Sequence, residues 1–283
     1  MRRVVVTGAA GQLGSTIVAR LRATCQVFPF TRGQLDIADE RAVLEKMTAL
    51  EPEVVINCAA YNDVDGAEEA APAALSANAL GVLALARAAS VSGARLVHYS
   101  TDFVFDGNSD RPYVETDVPR PLSTYGMSKL LGEWFALEAP SAYVLRVESL
   151  FGGQPAKSSV DKILAAIRGG HPVRVFADRT VSPSYVDDVA SATERLLATA
   201  PAFGVYHCVN RGTATWLGVA QEAARLLRRD AEIIPVSVND VNLKARRPRY
   251  CALSNGKLRH VGIDMPTWQD ALARYVHGTS AQT

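Results

Sequence analysis

The chain has 283 residues, a length that fits one large domain or two modest ones. Hydrophobic residues make up 48% of the sequence and charged residues 21%, so a buried core can form and a disordered chain is excluded. Lys and Arg number 30 against 29 Asp and Glu, which leaves a net charge of +1. This balance argues against nucleic acid as a partner, because nucleic-acid-binding proteins need a clustered positive surface.

Targeting and redox signals point to a soluble chain. No run of 18 or more apolar residues is present, and the most apolar segment, 77–89, contains Arg87, so we expect no membrane-spanning helix and no membrane partner. The three valines that follow Met1-Arg2-Arg3 are too few for the apolar region of a signal peptide. The four cysteines are too widely spaced for a disulfide framework or a zinc site. We therefore expect a reduced, cytoplasmic protein without a metal.

The first half of the chain alternates short apolar runs with helical patterns. Strands are predicted, in order, over 4–6, 27–30, 35–37, 54–58, 96–100 and 143–147. Helices are predicted around Leu13, Ile17 and Leu21, over 39–50 and 72–92, and from Tyr125 onward. Strands that are apolar on both faces and separated by helices indicate a parallel sheet covered on both sides. The predicted fold is therefore α/β, a Rossmann-type doubly wound parallel sheet.

After about residue 150 this alternation weakens. Loops rich in Gly, Pro and Ser separate helices predicted near 158–168, 187–199 and 215–228. We interpret residues 1–150 as an NAD(P)-binding Rossmann domain and residues 151–283 mainly as a smaller C-terminal substrate-binding lobe. The chain is expected to return to the first domain within about 183–225.

A glycine-rich turn follows the first predicted strand. Gly8, Gly11 and Gly14 are spaced G-x-x-G-x-x-G, and the helical pattern begins directly after them. Glycine allows a tight turn and lets a pyrophosphate approach the free N–H groups at the helix N-terminus. This turn, with Gln12 and Leu13, is therefore predicted to bind a dinucleotide.

The end of the second predicted strand bears on which dinucleotide binds. Sites selective for NAD usually place an acid here to hold the ribose hydroxyls. This strand instead ends in Phe30-Thr31-Arg32. Arg32 could pair with a 2′-phosphate, or it could be a solvated surface residue. We expect NADPH to be preferred, with NADH as the alternative cofactor.

Tyr125 and Lys129 lie four residues apart in a predicted helix and therefore on one helical face. A cation near a phenol lowers its pKa, so the phenol can exchange a proton near neutral pH. The pair follows the strand ending in Ser100-Thr101 by about 25 residues, after a nucleotide-binding turn. Here the sequence resembles the extended short-chain dehydrogenase/reductase superfamily. The resemblance implies that Thr101, Tyr125 and Lys129 form a catalytic triad.

Further motifs narrow the resemblance. The segments 59–65, 99–107, 121–126, 129–133 and 245–248 resemble the dTDP-4-dehydrorhamnose reductase family, and similar blocks run from residue 4 to about 275. That family reduces the C4 ketone of a nucleotide-activated 4-keto-6-deoxyhexose with NAD(P)H. The resemblance implies additional cofactor contacts from Asp36, Ile37, Cys58, Ala59, Ala60, Asn78, Tyr125 and Lys129. It implies substrate contacts from Val64, Asp65, Thr101, Asp102, Phe103, Ser149, Arg246 and Arg247.

Three departures from the family pattern affect the details. Ser149 stands where the family has a Trp near the sugar, and the segment 178–184 departs from the family's Gln/Gly/Pro-Thr pattern, so the sugar is left open. Thr16 stands where metal-bridged dimeric relatives carry Glu, so a monomer or a homodimer without a metal link is expected. Arg246 and Arg247 could hold the substrate diphosphate, since Arg forks match phosphate geometry, or could form a solvated basic loop.

Other functions remain as alternatives. A 4,6-dehydratase needs an acid pair directly after the catalytic Thr, and Asp102 is followed by Phe103, so dehydration is disfavoured. A nucleotide-sugar epimerase or another reductase could use the same three catalytic residues. A non-catalytic regulatory subunit similar to the β subunit of methionine adenosyltransferase would bind a dinucleotide and a partner enzyme without turning over sugar.

Overall fold

A parallel sheet of six strands forms the centre of the computed structural model, which describes residues 1–280. In the described chain the strands are β1 (Arg2–Thr7), β2 (Cys25–Phe30), β3 (Val54–Asn57), β4 (Arg95–Thr101), β5 (Ala142–Val147), β6 (Leu150–Phe151), β7 (Val173–Phe176), β8 (Thr180–Val181), β9 (Ser184–Tyr185), β10 (Gly204–His207), β11 (Ala214–Thr215) and β12 (Ile233–Val236). The helices are α1 (Gln12–Leu21), α2 (Glu40–Leu50), α3 (Gly66–Glu69), α4 (Ala71–Leu75), α5 (Gly81–Ser92), α6 (Thr124–Ala136), α7 (Ser159–Gly169), α8 (Val186–Thr199), α9 (Trp216–Leu227), α10 (Gly256–His260) and α11 (Trp268–Ser280).

Both faces of the central sheet are covered by helices. Successive side chains of a strand point to opposite faces, so Val4 and Val6 pack with Ile17 of α1 while Val5 packs with Met47 of α2 on the other side. All five residues are at most 1% exposed. The apolar runs of the sequence therefore form strands buried on both faces, and the predicted Rossmann-type fold class is confirmed.

The order of the strands places the site. The sheet order is β10-β5-β4-β3-β1-β2, so the chain moves outward from β1 to β2 and then returns to β3 on the other side. In open α/β sheets a ligand crevice forms where the strand order reverses, outside the carboxyl ends of the strands. Thr7 and Asn57 end β1 and β3, and the Thr7 hydroxyl donates to Asn57 Oδ1 at 2.7 Å. The crevice of this protein therefore opens at the ends of β1 and β3.

A second hydrophobic core lies under the later part of the chain. It is formed by α7, α9 and α11 with the β7–β12 pair. The chain returns to the first core through α8 and β10, and again through Leu258, Ile263 and Met265. This last return has no sequence signal, because isolated apolar residues in a short helix and a loop show neither helical nor strand periodicity.

Two predicted elements differ from the structure. No strand forms over 35–37; β2 is the edge of the sheet, and Leu35 and Ile37 are instead buried by packing in the core with α2 and α5. The helix predicted over 72–92 is divided, since a π-helical turn, Ser76–Leu80, separates α4 from α5. A π turn inserts an extra residue into a helix and is frequent at functional sites.

This divided helix is also the apolar segment of the chain. Within the described residues, the run Ala71–Ser92 is long and apolar enough to cross a membrane by length and composition alone. More than half of it is buried inside the protein, and Val82, Leu85 and Ala89 pack in the core beneath the sheet. Arg87 faces solvent and pairs with Glu40 at 2.9 Å. The run is therefore packed as a core helix.

An ion pair buried between α6 and the sheet fixes the helix that carries Tyr125. Glu133 accepts from Arg146 Nη2 at 2.7 Å and from Nε at 2.8 Å, and the Ser100 hydroxyl donates to it at 2.6 Å. The side chains of Glu133 and Arg146 are 2% and 4% exposed. A bidentate pair with all its groups satisfied holds α6 at a set position over β4 and β5.

We expect Glu133→Gln to lower the free energy of unfolding by about 3–5 kcal/mol, because it leaves the buried Arg146 charge uncompensated. Urea unfolding at neutral pH measures this change. Glu45→Gln, which removes one partner of an exposed pair with Arg41, is the matched control and should change stability by less than about 0.5 kcal/mol. Equal effects of the two substitutions would contradict the structural role of the buried pair.

Candidate active site

Two adjoining cavities lie at the carboxyl ends of the strands. The first, of about 450 Å³, is bounded by the turn after β1, the end of β4, the start of α6 and the segment after β5. The second, of about 720 Å³, lies between the same turn and the segment after β2. Gly11, Cys58, Ala59, Ala60 and Asn62 line both cavities. A long ligand could therefore extend from one cavity into the other along the turn.

The glycine turn brings backbone segments as close together as the spacing of its glycines predicts. Gly8 has a φ of +64°, and a Cβ there would lie 2.5 Å from the backbone N of Ala59. A Cβ on Gly14 would lie 2.3 Å from the carbonyl O of Gly8. Gly11 is the N-cap of α1 and has no side chain over the helix N-terminus. The turn therefore exposes backbone N–H groups to the cavity, which fits a pyrophosphate-binding site.

The neighbours of the turn have different roles. Gln12 and Leu13 line the first cavity, but Leu13 is mostly buried in the core and the Gln12 amide donates to the carbonyl of Gly152 at 2.5 Å. Gln12 therefore ties the turn to the segment after β6. Cys58 is partly buried, and its removal from water raises the pKa of its thiol, so it forms an uncharged wall of the site.

Arg32 lies at the mouth of the second cavity. Its side chain is 87% exposed, and its Nε lies 3.4 Å from Asp36 Oδ2. Asp36 and Ile37 line the same cavity, with Ile37 buried and Asp36 accessible. The sequence has no acid at the end of this strand, but the structure places the carboxylate of Asp36 beside Arg32. An exposed, weakly held guanidinium is free to turn toward a phosphate in this cavity.

Tyr125 and Lys129 lie at the start of α6, which begins after a capping residue. The Ser123 hydroxyl accepts from the Gly126 N–H at 3.2 Å, and Glu68 accepts from the Thr124 N–H at 2.8 Å. Both Tyr125 and Lys129 are buried and line the first cavity. Lys129 Nζ donates to the carbonyl of Tyr99 at 2.6 Å. The helix spacing thus brings both side chains to one wall, as the sequence predicts.

Burial dominates the titration of this pair. Burial lowers the pKa of Lys129 to about 8, although the nearby Glu133 raises it. Burial also raises the pKa of Tyr125, as does Asp102, while a hydrogen bond with Thr101 lowers it. The expectation that Lys129 makes the phenol more acidic is not met here, because burial has the largest effect on the pKa of Tyr125 and Lys129 is not among the groups that lower it. Tyr125 is therefore a protonated phenol at neutral pH and can act as a donor.

Thr101 ends β4 beside the phenol. Its hydroxyl donates to Asp102 Oδ1 at 2.9 Å and accepts from the Phe103 N–H at 3.2 Å. The ring of Phe103 meets the ring of Tyr125 edge to face at 5.6 Å between centroids. The three residues expected to form a triad, Thr101, Tyr125 and Lys129, therefore line one cavity.

The predicted substrate residues divide into two groups. Val64, Asp102, Phe103 and Ser149 line the first cavity. Asp65 does not line it, and instead accepts from Arg247 Nη2 at 2.7 Å and from the Ala245 N–H at 2.9 Å. Arg247 and Arg246 line a separate cavity of about 360 Å³ beside Asn108 and Arg249. The ion pair of Asp65 and Arg247 therefore joins two loops beside Phe103. The Arg247 guanidinium lies 5.7 Å from the centre of the Phe103 ring.

Asn78 is not brought to either cavity. It lies in the π turn, fully buried, where its Oδ1 accepts from the Tyr61 N–H at 2.8 Å. Its Nδ2 donates to the Tyr61 carbonyl and to the Ser128 hydroxyl, each at 3.0 Å. Both the oxygen and the nitrogen of the Asn78 amide are thus hydrogen-bonded to protein groups. Asn78 fixes the segment after β3 to α6 and so positions the cavity wall.

Sequence reasoning missed several residues of the first cavity. Glu148, Lys157, Arg179 and Trp216 line it although none of them is among the predicted site residues. Arg179 falls in the segment 178–184 that departs from the family pattern, which is the one signal that could have drawn attention to it. A third cavity of about 310 Å³ continues from Arg179 and Trp216 past Lys162 and Arg174. This side of the site therefore lies largely on the later part of the chain.

Comparison with known proteins gives one family. The family described as RmlD substrate binding domain matches residues 1–280. The dTDP-4-dehydrorhamnose reductase of Mycobacterium tuberculosis is 39% identical to this chain over 96% of it and 91% of the relative. The enzyme of the same name from Burkholderia thailandensis is 33% identical over 99% of this chain and all of the relative.

A solved structure agrees. The dTDP-4-dehydrorhamnose reductase from Bacillus anthracis in complex with NADP superposes with a TM-score of 0.94 at 32% identity, covering 98% of this chain and 100% of the other. The glycine turn and the cavity around Tyr125 therefore occur in a fold shared along the whole chain. The protein belongs to the RmlD substrate binding domain family, which includes the dTDP-4-dehydrorhamnose reductases that its motifs resemble.

Proposed function

We propose that this protein is an NADPH-dependent oxidoreductase that reduces the C4 ketone of a nucleotide-activated 4-keto-6-deoxyhexose. The observation that carries the proposal is the convergence of Thr101, Tyr125 and Lys129 on one cavity that adjoins the glycine turn. Relatives are named for this reaction, and a solved relative holds NADP. A hydrogen-bond donor, a proton donor and a dinucleotide site are the groups that carbonyl reduction requires.

The cofactor fits the residues that face the two cavities. Backbone N–H groups of the Gly8–Gly14 turn would hold the pyrophosphate, since a Cβ at either end of the turn would collide with backbone. Arg32 would pair with the 2′-phosphate, and Cys58, Ala59 and Ala60 would form the wall against the nucleotide. When bound, NADPH supplies the hydride for the carbonyl carbon.

The protein's own groups then handle the carbonyl oxygen. Thr101 donates a hydrogen bond to the ketone and polarises it. Tyr125, kept protonated by burial, gives its proton to the alkoxide as negative charge develops. Lys129, whose pKa of about 8 leaves it mainly charged at neutral pH, stabilises the resulting phenolate. Each group thus starts in the protonation state that reduction needs.

We place the two ligands in different parts of the chain. Residues 1–150 hold the dinucleotide, and residues 151–283 hold mainly the sugar nucleotide; the last three of these lie outside the described residues. Lys162 and Arg174 line the third cavity and are suited to a diphosphate.

We also infer a cytoplasmic monomer or homodimer that binds neither nucleic acid nor a membrane, in keeping with its balanced charge.

The first test is NADPH consumption on addition of dTDP-4-dehydrorhamnose, followed by a panel of other nucleotide-linked 4-keto sugars. We expect Tyr125→Phe to lower kcat by about 10²–10⁴-fold while the Kd for NADPH stays close to normal, because only the phenol proton is lost. Tyr143→Phe is the matched control, since Tyr143 lies at the opposite end of β5 from the site and its hydroxyl donates to the carbonyl of Pro201. Retained turnover in Tyr125→Phe would overturn the catalytic assignment.

The same assay separates the alternative function. A regulatory subunit similar to the β subunit of methionine adenosyltransferase would bind NADPH without consuming it for any sugar in the panel, and would co-purify with a partner enzyme. A reductase consumes NADPH with one or more of the sugars and needs no partner.

Arg32 decides the choice of cofactor. We expect Arg32→Ala to raise the Kd for NADPH about tenfold, which corresponds to about 1.4 kcal/mol, and to leave the Kd for NADH unchanged. Fluorescence titration of both cofactors measures this. Arg41→Ala, which removes an equally exposed guanidinium on α2, should change neither value. An equal effect of Arg32→Ala on both cofactors would exclude a 2′-phosphate contact.

A further inference from the structure

Two mostly buried carboxyl groups meet at the wall of the first cavity. One oxygen of Asp102, one of Glu148 and the Sγ of Cys251 lie within 4.8 Å of one another. The three residues are 3%, 2% and 1% exposed. They come from the ends of β4 and β5 and from the segment after residue 250, so only the tertiary structure brings them together.

The hydrogen bonds of the two carboxyls are unequal. Glu148 has donors on both oxygens, because the Ser149 hydroxyl donates to Oε1 at 2.9 Å and the Ser182 backbone N–H donates to Oε2. Asp102 Oδ1 accepts from Thr101, but Oδ2 is buried and has no hydrogen-bond partner among residues 1–280. Burying a carboxylate oxygen that has no hydrogen-bond donor costs free energy, whereas a protonated carboxyl oxygen can itself donate a hydrogen bond.

The charges around the pair leave room for one negative charge. Arg179 is the cation that faces both carboxyls, and it is itself buried, with Nη2 donating to Cys251 Sγ at 3.3 Å and Nε donating to the Pro248 carbonyl at 3.1 Å. The other titratable neighbours are uncharged at neutral pH, because burial raises the pKa of the Cys251 thiol and of the Tyr125 phenol. One guanidinium balances one carboxylate, not two.

The two carboxyl groups therefore hold one proton between them at neutral pH. Burial raises the pKa values of both Asp102 and Glu148, and the two groups lie close enough that the charge of Asp102 raises the pKa of Glu148 further, which is the behaviour of two carboxyls that hold one proton between them. The donors on Glu148 favour its ionised form, so the proton resides mainly on Asp102, on the oxygen that otherwise has no partner.

The protonation state of Asp102 bears directly on Thr101. The Thr101 hydroxyl proton points at Asp102 Oδ1, at 2.9 Å, whereas carbonyl reduction needs that proton to point at the substrate. A carboxylate accepts a hydrogen bond roughly twice as strongly as a neutral carboxyl does. A charged Asp102 would therefore hold the Thr101 proton, and a neutral one releases it. A charged Asp102 would also raise the pKa of Tyr125, which hinders proton transfer.

We propose that Asp102 and Glu148 share one proton, and that Glu148 is a positioning residue which keeps Asp102 uncharged so that the hydroxyl proton of Thr101 is available to the ketone. The catalytic part of this inference rests on the proposed reductase function, whereas the shared proton does not. A metal ion is not assigned to the cluster, because the buried Arg179 guanidinium donates to the thiol that would be a ligand.

The kinetic test uses Glu148→Gln, which keeps the size of the side chain but removes the second charge. Asp102, left with Arg179 alone, then loses its proton at lower pH. We expect the alkaline limb of the pH profile of kcat to move down by about one unit or more, kcat at pH 7 to fall about tenfold, and the KM for NADPH to stay unchanged. Glu45→Gln, the same change on the exposed surface of α2, is the matched control.

A double-mutant comparison identifies Asp102 as the mediator. In the Asp102→Asn background no carboxyl remains to be kept neutral, so adding Glu148→Gln should shift the pH profile no further. A uniform loss of kcat at all pH values in Glu148→Gln would indicate a merely structural role and would overturn the proposal. So would an equal shift with and without Asp102.

An infrared measurement tests the shared proton without turnover. The wild-type protein at neutral pH should show the C=O stretching band of a protonated carboxyl, which is absent from Glu148→Gln and Asp102→Asn, retained in Glu45→Gln and lost on alkaline titration of the wild type. Absence of the band from the wild type overturns the proposal even if the variants fail to fold. If the band is present but no keto sugar is reduced, the reductase function fails and the shared proton stands.

Discussion

The approach of helix α1 to strand β1 is the contact on which the site depends. Gly14 lies so close to Gly8 that no side chain could stand between them, and Gly8 in turn lies against the backbone that follows β3. This backbone packing seats the N-terminus of α1 at the point where the strand order reverses, and it directs Ile17 into the core. The two cavities lie in front of the N-terminus of α1. Their position is therefore a consequence of packing.

A layer of satisfied polar groups surrounds the cavities. Glu133 and Arg146 hold α6, the Asn78 amide joins α6 to the segment after β3, and Thr7 donates to Asn57 across β1 and β3. Buried polar groups are stable only when each donor and acceptor is paired, so these contacts allow few alternative positions. The side chains that line the cavities are thereby fixed by buried groups around them. Asp102 Oδ2 is an exception, and it lies next to Thr101.

Burial also sets the protonation states in the site. Removing water favours the uncharged form of each group, so the pKa of Lys129 falls while the pKa values of Tyr125, Asp102 and Glu148 rise. The result is a cavity with a protonated phenol, a lysine that can still be charged and a carboxyl pair with a single counter-charge. Such a site is prepared to give protons to a developing oxyanion. Sequence rules that consider only the nearest cation would give Tyr125 the wrong direction of shift.

The sequence by itself determined the features that depend on local pattern. Apolar runs and helical spacing gave the doubly wound sheet, the glycine spacing gave the turn, and the separation of Tyr125 and Lys129 placed both on one face of α6. The tertiary structure alone decided features that join distant segments. It buried Leu35 and Ile37 without a strand, paired Asp65 with Arg247, and brought Glu148 and Arg179 to Asp102. Periodicity and motif spacing report the conformation of neighbouring residues, whereas these contacts arise from the packing of segments separated by up to about 180 residues.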